Sequence, residues 1–189
     1  MEKPQAARFL VLGSVLIALG VLPTGAFSGT AMALSIGSKA FSQGGKIPSR
    51  YTCAGDDISP PLSFSGVPKG AKSLALIVDD PDAPDPKAPK VVWVHWVVLN
   101  LPPDTTELME NASGGGLPAG SVQGLNDWKR PTYNGPCPPI GRHRYFHKLY
   151  ALDVALPAKP LSKAELERAM EGHVLAKAEL MATYQKGDP

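Results

Sequence analysis

Proline clusters set the strongest limit on what this chain can fold into. Pro81-Asp82-Ala83-Pro84-Asp85-Pro86 closely follows the apolar run Leu74–Val78 (LALIV), and Pro136-Cys137-Pro138-Pro139 precedes Arg144–Leu152 (RYFHKLYAL). Val91–Leu99 (VVWVHWVVL) lies between the two clusters. A residue with fixed φ and no N–H fits neither a helix interior nor a sheet ladder, so the clusters are expected in loops or at edges. The runs they separate are short and rich in β-branched and aromatic residues, which predicts three strands. Ser113–Gly116 and Tyr133–Gly141 read as turns. With 20 prolines and 19 glycines, about a fifth of the 189 residues are breakers, against a usual ~12%. That disfavours a helical bundle and predicts a loop-rich, mainly β domain.

The charge balance excludes some partners. Nineteen Lys+Arg against 17 Asp+Glu leave a net charge of +2, too little field for nucleic acid or an anionic membrane surface. Residues 1–33 read as a cleavable signal peptide: Lys3 and Arg8 start it, Phe9–Leu22 is apolar, and Ala31-Met32-Ala33 offers a cleavage pattern. A retained anchor would need about 20 apolar residues. The expectation is export, to a periplasm or by secretion after cleavage near Ala33. Residues 34–189 contain no repeat or charge block and read as a single domain. An oxidising compartment would allow Cys53 and Cys137 to pair, a long loop closure of about 4 kcal/mol. Two separate buried thiols are the other reading, and sequence leaves that choice open.

The C-terminal segment carries a different pattern. Ser162-Lys163-Ala164-Glu165 is a capping box, and Leu166, Ala169, Met170, Val174, Ala178 and Met181 follow at helical spacing. Gly172 predicts a break between two short helices and Gly187 an end to the second.

Four histidines offer chemistry. Strict alternation puts Trp93, His95 and Val97 on one strand face and Val94, Trp96 and Val98 on the other. His143, Tyr145 and His147 share a face of the third strand. Asp80 precedes Pro81, which holds it extended, and a carboxylate there can orient an imidazole. Asp82 can cap its turn or clamp Arg144 through two hydrogen bonds, and Pro84 fixes the exit of the turn. Carboxylate and imidazoles from three strand ends can meet at one pocket mouth, with backbone N–H groups of Ile140–Arg142 as further donors. His147 reads as packing or rim, His173 as a helix-junction residue, and Trp128 as partly buried packing.

Asp80-Pro81-Asp82-Ala83-Pro84, Trp93-Val94-His95, Gly135-Pro136-Cys137-Pro138-Pro139 and Gly141-Arg142-His143-Arg144-Tyr145 together resemble the phosphatidylethanolamine-binding protein family, also called Raf-kinase-inhibitor-like, in its bacterial YbhB/YbcL-type branch. Tyr51-Thr52-Cys53, Ser59-Pro60-Pro61-Leu62 and Gly172-His173-Val174-Leu175-Ala176 resemble it as well. The resemblance implies a β-sandwich with a large central antiparallel sheet, a smaller sheet and C-terminal helices. It implies a pocket for phosphate, phosphorylethanolamine or a similar anion, lined by Asp80, His95, Pro138, Pro139, His143 and Tyr145. Asp82, Pro84, Arg144, Gly135 and Gly141 would support it. Eukaryotic members often have Gly at the position of Cys137, and their C-terminal helix supplies a pocket tyrosine that is not assigned to Tyr184 here.

Three functions follow as expectations. The first is a non-catalytic binding protein for a small anionic or phosphorylated ligand, without cofactor or metal, touching membrane only through a lipid head group. The second is an inhibitor or regulator of a partner protein, such as a peptidase or host protein. The third, a hydrolase, is disfavoured because no Ser or Thr stands in a nucleophile motif. Two His plus one carboxylate is also an iron arrangement, but the resembling pocket is metal-free. A dimer through the sheet face is compatible with the sequence.

Overall fold

The computed structural model describes residues 1–2 and 32–188. The signal-peptide expectation therefore lies almost entirely outside the described residues. Among those residues, eight strands and one α-helix follow in chain order: β1 (Ser35–Gly37), β2 (Leu62–Ser65), β3 (Ser73–Ala83), β4 (Val91–Leu101), β5 (Glu107–Leu108), β6 (Val122–Gln123), β7 (Arg142–Leu152), α1 (Lys163–Met170) and β8 (Val174–Gln185). The three apolar runs become β3, β4 and β7, the middle of a five-stranded sheet in the order β6-β4-β3-β7-β8. A three-stranded sheet, β1-β2-β5, forms the second layer, and the pairings in both are antiparallel. No helix among the described residues is long and apolar enough to cross a membrane.

β3 is buried on both faces, which is why it reads as a continuous apolar run rather than an alternating one. Leu74, Leu76 and Val78 join Trp96, Val98, Leu149 and Leu180 against Ile36, Leu62 and Phe64 of the small sheet. Ala75 and Ile77 point the other way, to Val94, Val97 and Leu99 and to Leu166 and Met170 of α1. Each fully buried Leu or Ile side chain contributes about 1.5–3 kcal/mol over an exposed one.

The C-terminal segment departs from its expected form. The capping box is present, with Ser162 Oγ accepting from the Glu165 N–H and the Ser162 N–H donating to Glu165. The second helix is absent: Val174–Gln185 is β8, paired with β7 along nearly its whole length. Gly172, at φ 76°, turns the chain from helix into strand. The period that governs burial is two, through Ala176, Ala178, Leu180, Ala182 and Tyr184. Helix-forming residues here yield to the unpaired edge that β7 would otherwise present.

β3 also runs through Pro81 instead of stopping at the proline cluster. The pairing with β4 passes from Asp80↔Trp93 to Ala83↔Val91, three residues on β3 against two on β4. Pro81 thus lies in a bulge, where a missing N–H removes no ladder bond.

Candidate functional site

A second bulge faces the first. Val78 pairs with Trp96 and Asp79 with Val94, so β4 carries one residue more than β3, and that residue is His95. The bulge breaks the strict alternation expected for this strand. His95 packs on Tyr145, a member of the inter-sheet core that also holds Trp96, while Val97 lies with Val94 beneath α1. Two bulges, one on each of two adjacent strands, aim Asp80 and His95 at the same place.

That place is a cavity of about 460 Å³. Asp80, His95, Pro138, Pro139, His143 and Tyr145 line it, with Pro84 and Cys137. Lys90, Val91, Trp93 and Trp128, which the sequence did not single out for the site, line it too. Trp128 packs edge-on against both Trp93 and His95, ring centroids 5.3 Å apart in each case.

Asp80 is 3% exposed and its carboxylate is fully engaged. Oδ1 accepts the Asp82 N–H (2.8 Å) and Oδ2 meets His143 Nδ1 (2.7 Å). His143 Nε2 donates to the Ile140 carbonyl (2.9 Å). With an acceptor at each ring nitrogen, the Asp80–His143 pair holds one shared proton and is neutral overall, wherever that proton resides. His143 therefore has no N–H left for the cavity, which corrects the picture of two imidazoles donating into it. The Ile140–Arg142 backbone lies outside the lining, and the Ile140 carbonyl serves His143 instead. Gly141 makes this turn at φ 74°, and a Cβ there would press on Pro86 at 3.0 Å.

His95 is 3% exposed and held from the other side. Its Nδ1–H donates to the Asn134 carbonyl (2.7 Å), and the Asn134 N–H donates to the His95 carbonyl (3.1 Å). The loop that presents Asn134 is fixed by Asn126, which donates to the Thr132 carbonyl and Asn134 Oδ1 and accepts from the Arg130 N–H. Burial is the largest influence on the ring and holds its pKa below the usual histidine value. His95 Nε2 makes no hydrogen bond among the described residues. The Tyr145 hydroxyl is buried without a partner, and burial pushes its pKa up.

The supporting residues stand one step back. Arg144 grips Asp82 through Nε (2.9 Å), Nη2 (2.7 Å) and its backbone N–H (2.9 Å), which holds the Asp82 carboxyl below the usual range. The Gly135 N–H donates to Asp57 Oδ1 (2.6 Å), and a Cβ on Gly135 would collide with the Tyr51 carbonyl. Cys53 and Cys137 form a disulfide with Cα atoms 5.4 Å apart, and the Cys53 N–H reinforces it by donating to the Pro136 carbonyl. His147 is buried against Phe41 and does not line the cavity. His173 bonds Asp153 at the helix–strand junction. Among the described residues no three His, Cys, Asp or Glu side chains are grouped to hold a metal ion.

Comparison with known proteins places this geometry. Residues 37–185 match the sequence profile of the phosphatidylethanolamine-binding protein family. The chain belongs to that family. A UPF0098 protein of Methanothermobacter thermautotrophicus is 56% identical over 82% of this chain and 100% of its own. Among solved structures, a phosphatidylethanolamine-binding protein homolog from Chlamydia trachomatis is 48% identical, covering 82% of this chain and 98% of its own, with a TM-score of 0.74. E. coli YBCL, a member of the mammalian PEBP family, is 33% identical over 82% and 99%, with a TM-score of 0.73. The phosphatidylethanolamine-binding protein fold is thus a binding-protein fold, mainly β with two antiparallel sheets, as the sequence motifs implied.

The relatives overturn one expectation. Besides the Methanothermobacter protein, relatives come from Pyrococcus horikoshii and Archaeoglobus fulgidus. These archaea have no periplasm, so export to a periplasm or secretion does not stand as the location of this family member. The Cys53–Cys137 bridge rests on its geometry and not on that compartment.

Proposed function

We propose that this chain is a non-catalytic binding protein whose cavity takes a small anionic or phosphorylated head group, such as phosphate or phosphorylethanolamine. The observation that carries the reading is the contrast within the cavity wall. Apolar side chains, three prolines and two tryptophans among them, make up most of it, and a few polar side chains interrupt it: His95, Tyr145, Lys90 and the mutually paired Asp80 and His143. Such a wall with sparse, fixed polar groups is the usual form of a small-ligand site. The neutral Asp80–His143 pair adds polarity without repelling an anion. An amine on the same ligand has the faces of Trp93 and Trp128 available through cation–π attraction, whereas both Asp80 oxygens are already taken. Among the described residues no Ser or Thr lines the cavity, and Cys137 is held in a disulfide, which supports binding over covalent catalysis.

Titration with phosphorylethanolamine, following the ring nitrogens of the histidines by NMR, tests this. The His95 signals shift and saturate while those of His173, far from the cavity, stay still. An unmoved His95 at millimolar ligand overturns the reading.

A further inference from the structure

His95 is fixed in a way that restricts which oxyanions can bind. Its Nδ1 faces a backbone carbonyl, which can only accept, so Nδ1 must carry the proton. In the neutral ring Nε2 is then a bare lone pair. It has no partner among the described residues, and the ring that carries it lines the cavity. His143 supplies no compensating donor, because both its nitrogens are committed. The Tyr145 hydroxyl is itself buried from the cavity space, which leaves Lys90 as the donor side chain among the lining residues.

We propose that the cavity selects oxyacids that still carry a proton, with the ligand's own O–H donating to His95 Nε2 and its unprotonated oxygens accepting from Lys90. Both phosphate ions present near neutral pH meet this requirement, and a phosphate monoester, with a second pKa of about 6, meets it as its monoanion. Sulfate, fully ionised near neutral pH, presents only lone pairs and faces His95 lone pair to lone pair. The inference rests on the anion-binding reading above and names the ionisation state that reading leaves open.

The surroundings of His95 favour the neutral ring. Asp80 and Asp79 on β3 and Asp57 from the loop before β2 would each draw a proton onto it. Asp80 already shares one with His143, Asp79 is held by two lysines, and Asp57 accepts from Gly135 and Asn134. His147 and His143 on β7 and Lys90 offer no negative charge, and Tyr145 stays a neutral phenol. Burial outweighs the carboxylates.

Calorimetric titration of the full chain with inorganic phosphate and with sulfate, at pH 6, 7 and 8 and in two buffers of different ionisation enthalpy, decides the matter. Phosphate binds at least about tenfold tighter than sulfate at pH 6, the cost of an unmade hydrogen bond. Both phosphate ions present in this range keep an O–H, so phosphate affinity changes by less than about threefold from pH 6 to pH 8 and its binding takes up no proton. His95→Gln, whose amide can donate, brings the two anions to within about threefold. Equal affinity for phosphate and sulfate in the unmodified chain overturns the selection while leaving the anion reading intact. Binding of neither anion overturns both.

Discussion

Asp79 and Asp80 are consecutive residues of β3, both buried, at 0% and 3% exposure, yet the strand turns them to opposite faces of the large sheet. Asp79 faces α1 and takes two ammonium groups, Lys148 of β7 at 2.7 Å and Lys163 of α1 at 2.6 Å. Asp80 faces the cavity and takes one imidazole, His143, at 2.7 Å. The lysines are permanent charges on long stems that still reach solvent, so Asp79 clamps helix to sheet. The imidazole shares a proton, so Asp80 forms a neutral, rigid pair suited to a cavity wall. A buried carboxylate needs a partner in either place, and the chemistry of the partner separates a brace from a site.

Isosteric replacement puts the largest strain on that distinction. Asp79→Asn leaves two ammonium groups with no buried counter-charge, an unpairing that costs 3–5 kcal/mol when complete. Their residual exposure, 27% and 18%, and Glu167 at 3.7 Å from Lys163 reduce it. The expected loss is about 3 kcal/mol in urea denaturation, with phosphate affinity of the folded protein unchanged. A loss under about 1 kcal/mol would make the cluster no more than a surface pair.

His147 extends the comparison to a buried imidazole without a carboxylate. It pairs in register with Val78, one residue before the two aspartates, and burial lowers its pKa to about 4. The unfolded chain binds a proton there near pH 6.5, the folded one only near 4. Protonation thus favours unfolding as pH falls from about 6.5 to about 4, a loss on the order of 3 kcal/mol. Stability is full above that window. In His147→Gln the slope of urea midpoint against pH flattens between pH 6.5 and 4, leaving the contribution of His95, whose shift has the same sign. An unchanged slope would show that His147 does not titrate with unfolding.

How much of this was legible depended on how local each feature is. Asp82 with Arg144 and Asp80 with an imidazole could be matched by residue type, because complementary groups sat at the ends of recognisable strands. The bulges could not. They are properties of register between β3 and β4, and without them His95 is placed on the wrong face. β8 misled because Ala, Lys, Glu, Leu and Met favour helix, and the same apolar residues satisfy a period of 3.6 or 2. Only the edge of β7 decides between them. Asn126 and Asn134, which fix the His95 tautomer, act through backbone contacts that leave no pattern in sequence. Trp128 carried a signal in its size and loop setting, but nothing to say that it faces His95.

Asp80→Asn tests the other aspartate with a smaller effect on the fold. Asparagine can accept from the Asp82 N–H and donate to the bare Nδ1 of a neutral His143, so both bonds persist without charge assistance, a cost of about 1 kcal/mol. His143 becomes an ordinary neutral imidazole, visible as a change in its ring nitrogen shifts. A stability loss equal to that of Asp79→Asn would make both aspartates structural braces and dissolve the contrast.

The smallest effect is expected at the clamp between brace and site. Arg144 is half exposed, with 52% of its side chain accessible, and Asp82 keeps the Arg144 backbone N–H even when the guanidinium is gone. Arg144→Gln should therefore cost less than about 1 kcal/mol at pH 7. Because Arg144 lowers the folded pKa of Asp82, its contribution is present above the unfolded value of about 3.9 and is lost as pH falls through the folded one. The difference in urea midpoint between the two proteins should thus shrink below pH 4. Phosphate affinity should move by less than about twofold, since the guanidinium does not line the cavity and screening weakens its reach. A tenfold loss of affinity would mean that Arg144 helps to hold the ligand, and the boundary between support and site would move outward to include it.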